Sequence, residues 1–170
     1  MEHFRDRNVE EEGESTRVLT EIVAGAANGL DQAEEWEEVE FLVDSGASCT
    51  VVNDDTIKAV KTSNPDPDRN YKLADGSLIP HRGDKQFLAV TNEGVYKGVK
   101  SAVTDVDKPL MSVSQVIAAG GEVVFKKGGS YIQDAGGKQR INLEQRNGLF
   151  VLKMWVPRDQ PHFPGQAQKP

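Results

Sequence analysis

The sequence is poor in the residues that staple or metallate small proteins. Its 170 positions hold one cysteine, Cys49, so no internal disulfide can form. Its three histidines, His3, His81 and His162, are too scattered to give metal-ligand spacing. A structural zinc site is excluded on that count, and no metal or other cofactor is expected. No apolar run approaches the roughly 20 residues that a membrane helix needs. The first thirty residues, rich in Glu and Arg, contain no secretory apolar segment. Membrane spanning and classical secretion are therefore not expected. Aromatic residues make up only 6% of the chain, which leaves little for a nucleic-acid face of interleaved basic and aromatic side chains. The pairs Gly120-Gly121, Gly128-Gly129 and Gly136-Gly137 lack the P-loop Lys-Ser/Thr and the dinucleotide spacing, and read as turns. Cys49 has no histidine near it in sequence and His81 reads as a solvated residue, so a Cys/His nucleophile pair is not expected either.

What the sequence has in excess is acid, unevenly spread. Residues 1–40 hold 13 Asp/Glu against 3 Arg, whereas residues 41–170 hold 14 acids against 17 bases. The overall charge of −7 therefore belongs to an N-terminal arm, and the remainder is mildly basic. Clustered like charges such as Glu10-Glu11-Glu12 repel and gain little from burial, so residues 1–35 read as a largely disordered arm. Only Arg17 to Ala27, with Val18, Leu19, Ile22 and Val23, carries some helix character. At the other end Pro157, Pro161, Pro164 and Pro170 stand among polar residues, and 156–170 reads as a loose tail. That leaves a folded domain over 36–155.

Within this domain the pattern is mainly β. Val39, Phe41 and Val43 alternate with polar positions and lead into Asp44, the period of a half-buried strand. Tyr71-Lys72-Leu73 and Leu78-Ile79 flank Asp75-Gly76, a hairpin signal because Asp-Gly supplies the positive φ that a tight turn needs. Gln86 to Thr91 and Val95 to Val106 form a longer pair around Asn92-Glu93-Gly94. Glu122 to Phe125, Ser130 to Gln133, Arg140 to Leu143 and Leu149 to Trp155 are further short strands. One helix is expected, Ser112 to Ala119, with Ser112 or Ser114 as N-cap and Gly120 as its stop. Many short strands and one late helix imply a small closed or sandwich-like β fold.

The stretch that carries chemistry is Phe41-Leu42-Val43-Asp44-Ser45-Gly46-Ala47. A carboxylate at the end of an apolar strand is costly unless backbone donors in the following turn hold it. Gly46 lets the chain turn tightly and Ser45 offers a hydroxyl to lock the turn. These three residues alone fit an ordinary strand-to-turn Asp as well as a catalytic one. The wider pattern resembles the retropepsin family of aspartic proteases, whose motif of two apolar residues, Asp, Ser/Thr, Gly and Ala is matched over Leu42 to Ala47. Leu73-Ala74-Asp75-Gly76-Ser77 with Pro80 and Gly83, then Pro109-Leu110-Met111-Ser112-Val113-Ser114-Gln115, then Asn147-Gly148-Leu149-Phe150, are similar to the protease region of copia-type retrotransposon polyproteins. The similarity spans about Trp36 to Trp155.

The resemblance implies a retropepsin-like, closed β-barrel-like fold with one short helix in its C-terminal half. It implies that Asp44 is catalytic, supported by the turn Ser45, Gly46 and Ala47. Leu73, Ala74, Asp75, Gly76 and Ser77 would then be a flap over the substrate, although a plain surface hairpin has the same pattern. Leu110 and Met111 would be the apolar pair packed against the active-site turn. Ser112 stands where glycine is usual, a serine that copia-type sequences tolerate. Aspartic proteolysis needs two carboxylates sharing a proton around one water. The chain has one Asp-Ser-Gly, and Asp134-Ala135-Gly136 reads as a turn, so the resemblance implies a homodimer. The expected substrate is a peptide or a Gag-Pol-type polyprotein, with no cofactor, no metal, no membrane and no nucleic-acid partner. The setting implied is intracellular, in the cytoplasm or in virus-like particles. Ser112 and the acidic arm also fit a catalytically inactive retropepsin-like module that dimerises or binds peptides. A third reading makes the arm a processing segment removed by self-cleavage.

Overall fold

The computed structural model describes residues 35–162. The arm expected over 1–35, apart from Glu35, and the helix considered over 17–27 lie outside the described residues. Among the described residues no helix is long and apolar enough to cross a membrane.

The architecture is mainly β, as expected. Four long strands, β1 (Trp36–Asp44), β5 (Gly83–Thr91), β6 (Tyr96–Val103) and β12 (Leu149–Pro157), carry most of the main sheet. Short strands β2 (Val51–Val52), β7 (Leu110–Ser112) and β11 (Glu144–Arg146) complete it. Its order is β1-β7-β2-β6-β5-β12-β11, and β12 also pairs with β1, so the pairings return to where they began. Strands β3 (Asn70–Lys72) and β4 (Leu78–Pro80) form a separate hairpin, and β8 (Glu122–Val124), β9 (Tyr131–Gln133) and β10 (Arg140–Asn142) form a small sheet in the order β10-β9-β8. The single described helix, α1 (Val113–Ala118), follows β7 directly, with Ser112 as N-cap and Gly120 beyond its end at φ +92°.

Period-two alternation explains β1: Val39, Phe41 and Val43 point inward while Glu38, Glu40 and Leu42 are more exposed. Phe41, Phe87, Leu152 and Met154 are fully buried, and Ile132 and Ile141 of the small sheet join the same core. Each such side chain stabilises by about 1.5–3 kcal/mol. An exposed ion pair such as Arg82–Asp105 contributes about 0–1 kcal/mol, so the apolar core and not the surface charge holds the fold.

Two differences from expectation have clear causes. Strand β11 has no apolar period and all its side chains are exposed, yet it forms because Asn147 (φ 51°) and Gly148 (φ 77°) make a two-residue turn that folds it onto β12. Strand β12 runs past residue 155, where the tail was expected to begin. Val156 is buried and pairs with Glu37, and Pro157, at the strand's last position, sits opposite Trp36. Gln160 then bonds both backbone groups of Leu88. Residues 163–170 lie outside the described residues.

The loop after β2 is held by buried charge. Ile57 is fully buried at φ 59°, a costly conformation for a β-branched residue. Glu37 accepts from the amides of Ile57 and Lys58 at 2.7 and 2.8 Å. From β5, Lys85, 2% exposed, donates to the carbonyls of Asp54, Thr56 and Ile57 at 2.9, 2.7 and 3.3 Å. Burial pushes its ammonium below the usual lysine range, with Asp54 opposing. Removing the ammonium takes the donor from the Asp54 and Thr56 carbonyls, while the Ile57 carbonyl keeps the Val60 amide. We therefore expect Lys85→Met to lower the unfolding free energy by about 3 kcal/mol, read as a fall in the urea midpoint at unchanged slope.

Candidate functional site

Asp44 is the last residue of β1, half-buried, and pairs in parallel register with Ser112 of β7. Leu42 and Val43 stand likewise opposite Leu110 and Met111. The Asp44 strand end, the apolar pair and the start of α1 are thus one unit. The Gly46 amide donates to Asp44 Oδ1 at 2.7 Å, and the Ala47 amide to the Asp44 carbonyl at 3.4 Å. A Cβ at Gly46 would come to 3.2 Å from Oδ1, which is why the smallest residue suits this close turn. The second carboxylate oxygen, Oδ2, has no hydrogen-bond partner among the described residues.

The turn is locked by Ser112. Ser45, expected to supply the locking hydroxyl, is exposed and makes no hydrogen bond there among the described residues. Instead the fully buried Ser112 donates its hydroxyl to the Ala47 carbonyl at 2.7 Å. The same oxygen accepts from the Gln115 amide at 3.3 Å, capping α1, and lies 2.9 Å from Ser114 Oγ. Since Ser112 has one hydroxyl proton and gives it to Ala47, Ser114 is the donor in that last pair. Thr50 completes the frame: its hydroxyl accepts from the Ser112 amide at 3.1 Å and reaches Met111 Sδ at 3.5 Å, while its amide donates to Gln115 Oε1 at 2.7 Å. Nothing in the sequence marked Thr50 or Gln115 for this task, because their partners lie more than 60 residues away. Both Ser112→Ala and Ser112→Gly should lose about 1–2 kcal/mol of stability through the cap and the stranded Ala47 carbonyl, measured by chemical denaturation.

The hairpin expected over Tyr71 to Arg82 is present as β3 and β4. Its tip bonds within itself, Leu73 N–H to the Ser77 carbonyl at 2.8 Å and Gly76 N–H to the Leu73 carbonyl at 3.0 Å. Gly76 sits at φ +87°, as the Asp-Gly signal requires. No hydrogen bond among the described residues joins Leu73, Ala74, Asp75, Gly76 or Ser77 to the Asp44 turn. Its base does reach that region, since Arg69, next to β3, lines one recess with Cys49 and Thr50. Tyr71 Oη lies 2.9 Å from His81 Nδ1. His81 was expected in solvent; it is 4% exposed because it fills the space between Tyr71 and Asp84, whose Oδ1 is 3.9 Å from its Nε2.

The other acid considered, Asp134, sits in a turn as expected. It is buried, accepts from the amides of Lys138 and Gln139, and lies 3.8 Å from the buried Lys97 ammonium. It therefore serves the small sheet. Among the described residues no three His, Cys, Asp or Glu come together as a metal site.

No family model matches this chain, and no curated protein or solved structure matches it.

Burial pushes the Tyr71 phenol up to about 12, with Cys49 adding to the effect. A phenol with a raised folded pKa favours the folded state fully below pH 10, its unfolded value, and loses that contribution as pH rises toward 12. Stability should therefore fall across that window. In a 295 nm titration one of the three tyrosines should ionise about two pH units late, and that late phase should vanish in Tyr71→Phe.

Proposed function

We propose that this chain is an aspartic endopeptidase of retropepsin type, acting as a homodimer on peptide or polyprotein substrates of the Gag-Pol kind. The observation that carries the reading is the parallel pairing of Asp44 with Ser112, which brings the Asp-Ser-Gly turn, the apolar pair and the helix start into one hydrogen-bonded frame. Three further features support it. The strand pairings run in a ring, in keeping with a closed β-barrel-like fold. A β-hairpin follows the Asp44 turn, and Arg69 at its approach lines one recess with Cys49 and Thr50. Ser112, the departure from glycine, ties the turn down and does not obstruct it.

The chemistry follows from one free carboxylate oxygen per chain. Asp44 and Asp44 of the partner subunit would meet across a two-fold axis and hold one proton between them, because two such close carboxylates cannot both ionise. The ionised one takes a proton from water as it attacks the peptide carbonyl. The protonated one gives its proton to the carbonyl oxygen, and the leaving amine is protonated as the C–N bond breaks. The hairpin would cover the substrate backbone and exclude bulk water.

Asp44→Asn keeps the turn's shape and its acceptor oxygen while removing the charge. It should abolish hydrolysis of a fluorogenic peptide library without lowering the thermal midpoint by more than a few degrees, and pepstatin should inhibit the unaltered chain. Full activity in Asp44→Asn would overturn the assignment. A dimer by analytical ultracentrifugation that cleaves nothing between pH 4 and 7 would instead favour a non-catalytic peptide-binding module.

A further inference from the structure

We infer that a recess beside the Asp44 turn binds a carboxylate, so that the preferred peptide carries Asp or Glu at one subsite. The inference rests on the peptide-site reading above and adds the class of side chain recognised. The recess, about 50 Å³, is lined by Cys49, Thr50, Arg69, Asp84, Lys100 and Gln115 among others. These residues come from the segment after the Asp44 turn, the approach to β3, strands β5 and β6, and the first turn of α1. Thr50 belongs to both places, since its hydroxyl also holds the Ser112 amide opposite Asp44.

Size and charge together select the ligand. A volume of 50 Å³ holds about three or four water-sized groups, which suits a carboxylate and is short of a leucyl or aromatic side chain. Two cations face it. The Arg69 guanidinium carbon lies 5.3 Å from the Tyr71 ring centre, and a cation–π contact of this kind uses up none of its N–H donors. Neither Arg69 nor Lys100 has a carboxylate partner among the described residues, whereas Arg82, Arg146, Lys97 and Lys153 all do. Gln115 spends its oxygen on the Thr50 amide, which leaves its NH₂ as a further donor. The one acid on the wall, Asp84, lies beside His81. Two cations and an amide donor against one anion make the recess a receptor for a negative group. Burial pushes the Cys49 thiol up, so it adds no competing charge.

The test is a binding scan with fluorescein-labelled decapeptides of Ala, Leu and Phe in which one Glu, or one Gln, is walked through every position. Binding to full-length Asp44→Asn is read by fluorescence polarisation, and cleavage by the unaltered chain by mass spectrometry. At one position Glu should bind about tenfold more tightly than Gln, the gain expected of a charge-assisted contact, and 0.5 M NaCl should reduce it. Arg69→Gln and Lys100→Gln should each erase most of that preference and leave Gln-peptide affinity within about twofold. Equal affinity for Glu and Gln peptides at every position, or no peptide bound at all, overturns the recess. Cleavage without a Glu preference overturns the recess alone. A Glu preference in binding with no peptide cleaved supports the recess and overturns the protease reading.

Discussion

The candidate site depends on a pairing of three residues: β7 laid parallel to the end of β1, so that Asp44 faces Ser112. Parallel neighbours need a long connection between them, and here the chain spends residues 45–109 on it. That connection contains the turn, the loop anchored by Lys85, the hairpin and the β5–β6 pair. The site is therefore assembled by closing a long excursion, and its stability is inseparable from that of the main sheet. Proximity of the turn to the helix comes from this closure, and the hydrogen bonds of Ser112 and Thr50 then hold the turn in place.

The buried polar groups divide the labour. Lys85 and Glu37 satisfy a loop whose backbone would otherwise be orphaned around the strained Ile57. Lys97 and Asp134 join β6 to the turn of the small sheet. Ser112, Thr50 and Gln115 brace the Asp44 turn. Each group is held by named partners, and leaving a polar atom unpaired in the buried surroundings of Lys85, Lys97, Asp134, Thr50 or Ser112 costs several times what an exposed pair gains. Among these only the last set braces a turn whose carboxylate keeps one oxygen without a hydrogen bond among the described residues.

Much of the fold was legible from local pattern. The alternation of Val39, Phe41 and Val43, the Asp75-Gly76 turn and the Ser112 cap with its Gly120 stop each act over a few residues, and each appears where expected. Strand β11 was not legible, because its polar residues gain their place from the Asn147-Gly148 turn and a neighbour they do not resemble. The end of β12 was obscured by Pro157, which a terminal strand position tolerates. His81 was misread for a related reason: its burial depends on Tyr71 and Asp84, three elements meeting at the hairpin base. Ser45 shows the converse, a residue with the right chemistry in the motif that the turn does not use.

The sequence by itself determined the strand periods, the turn residues, the helix boundaries and the one carboxylate worth attention, since these follow from steric and hydrophobic preferences within a short window. Tertiary structure alone decided that Ser112 locks the turn, that Lys85 and His81 are buried, and that Arg69, Lys100 and Gln115 converge on one recess. Those outcomes depend on which distant donors, acceptors and charges the fold brings together. Local propensity carries no information about that, because it arises only when distant strands pair.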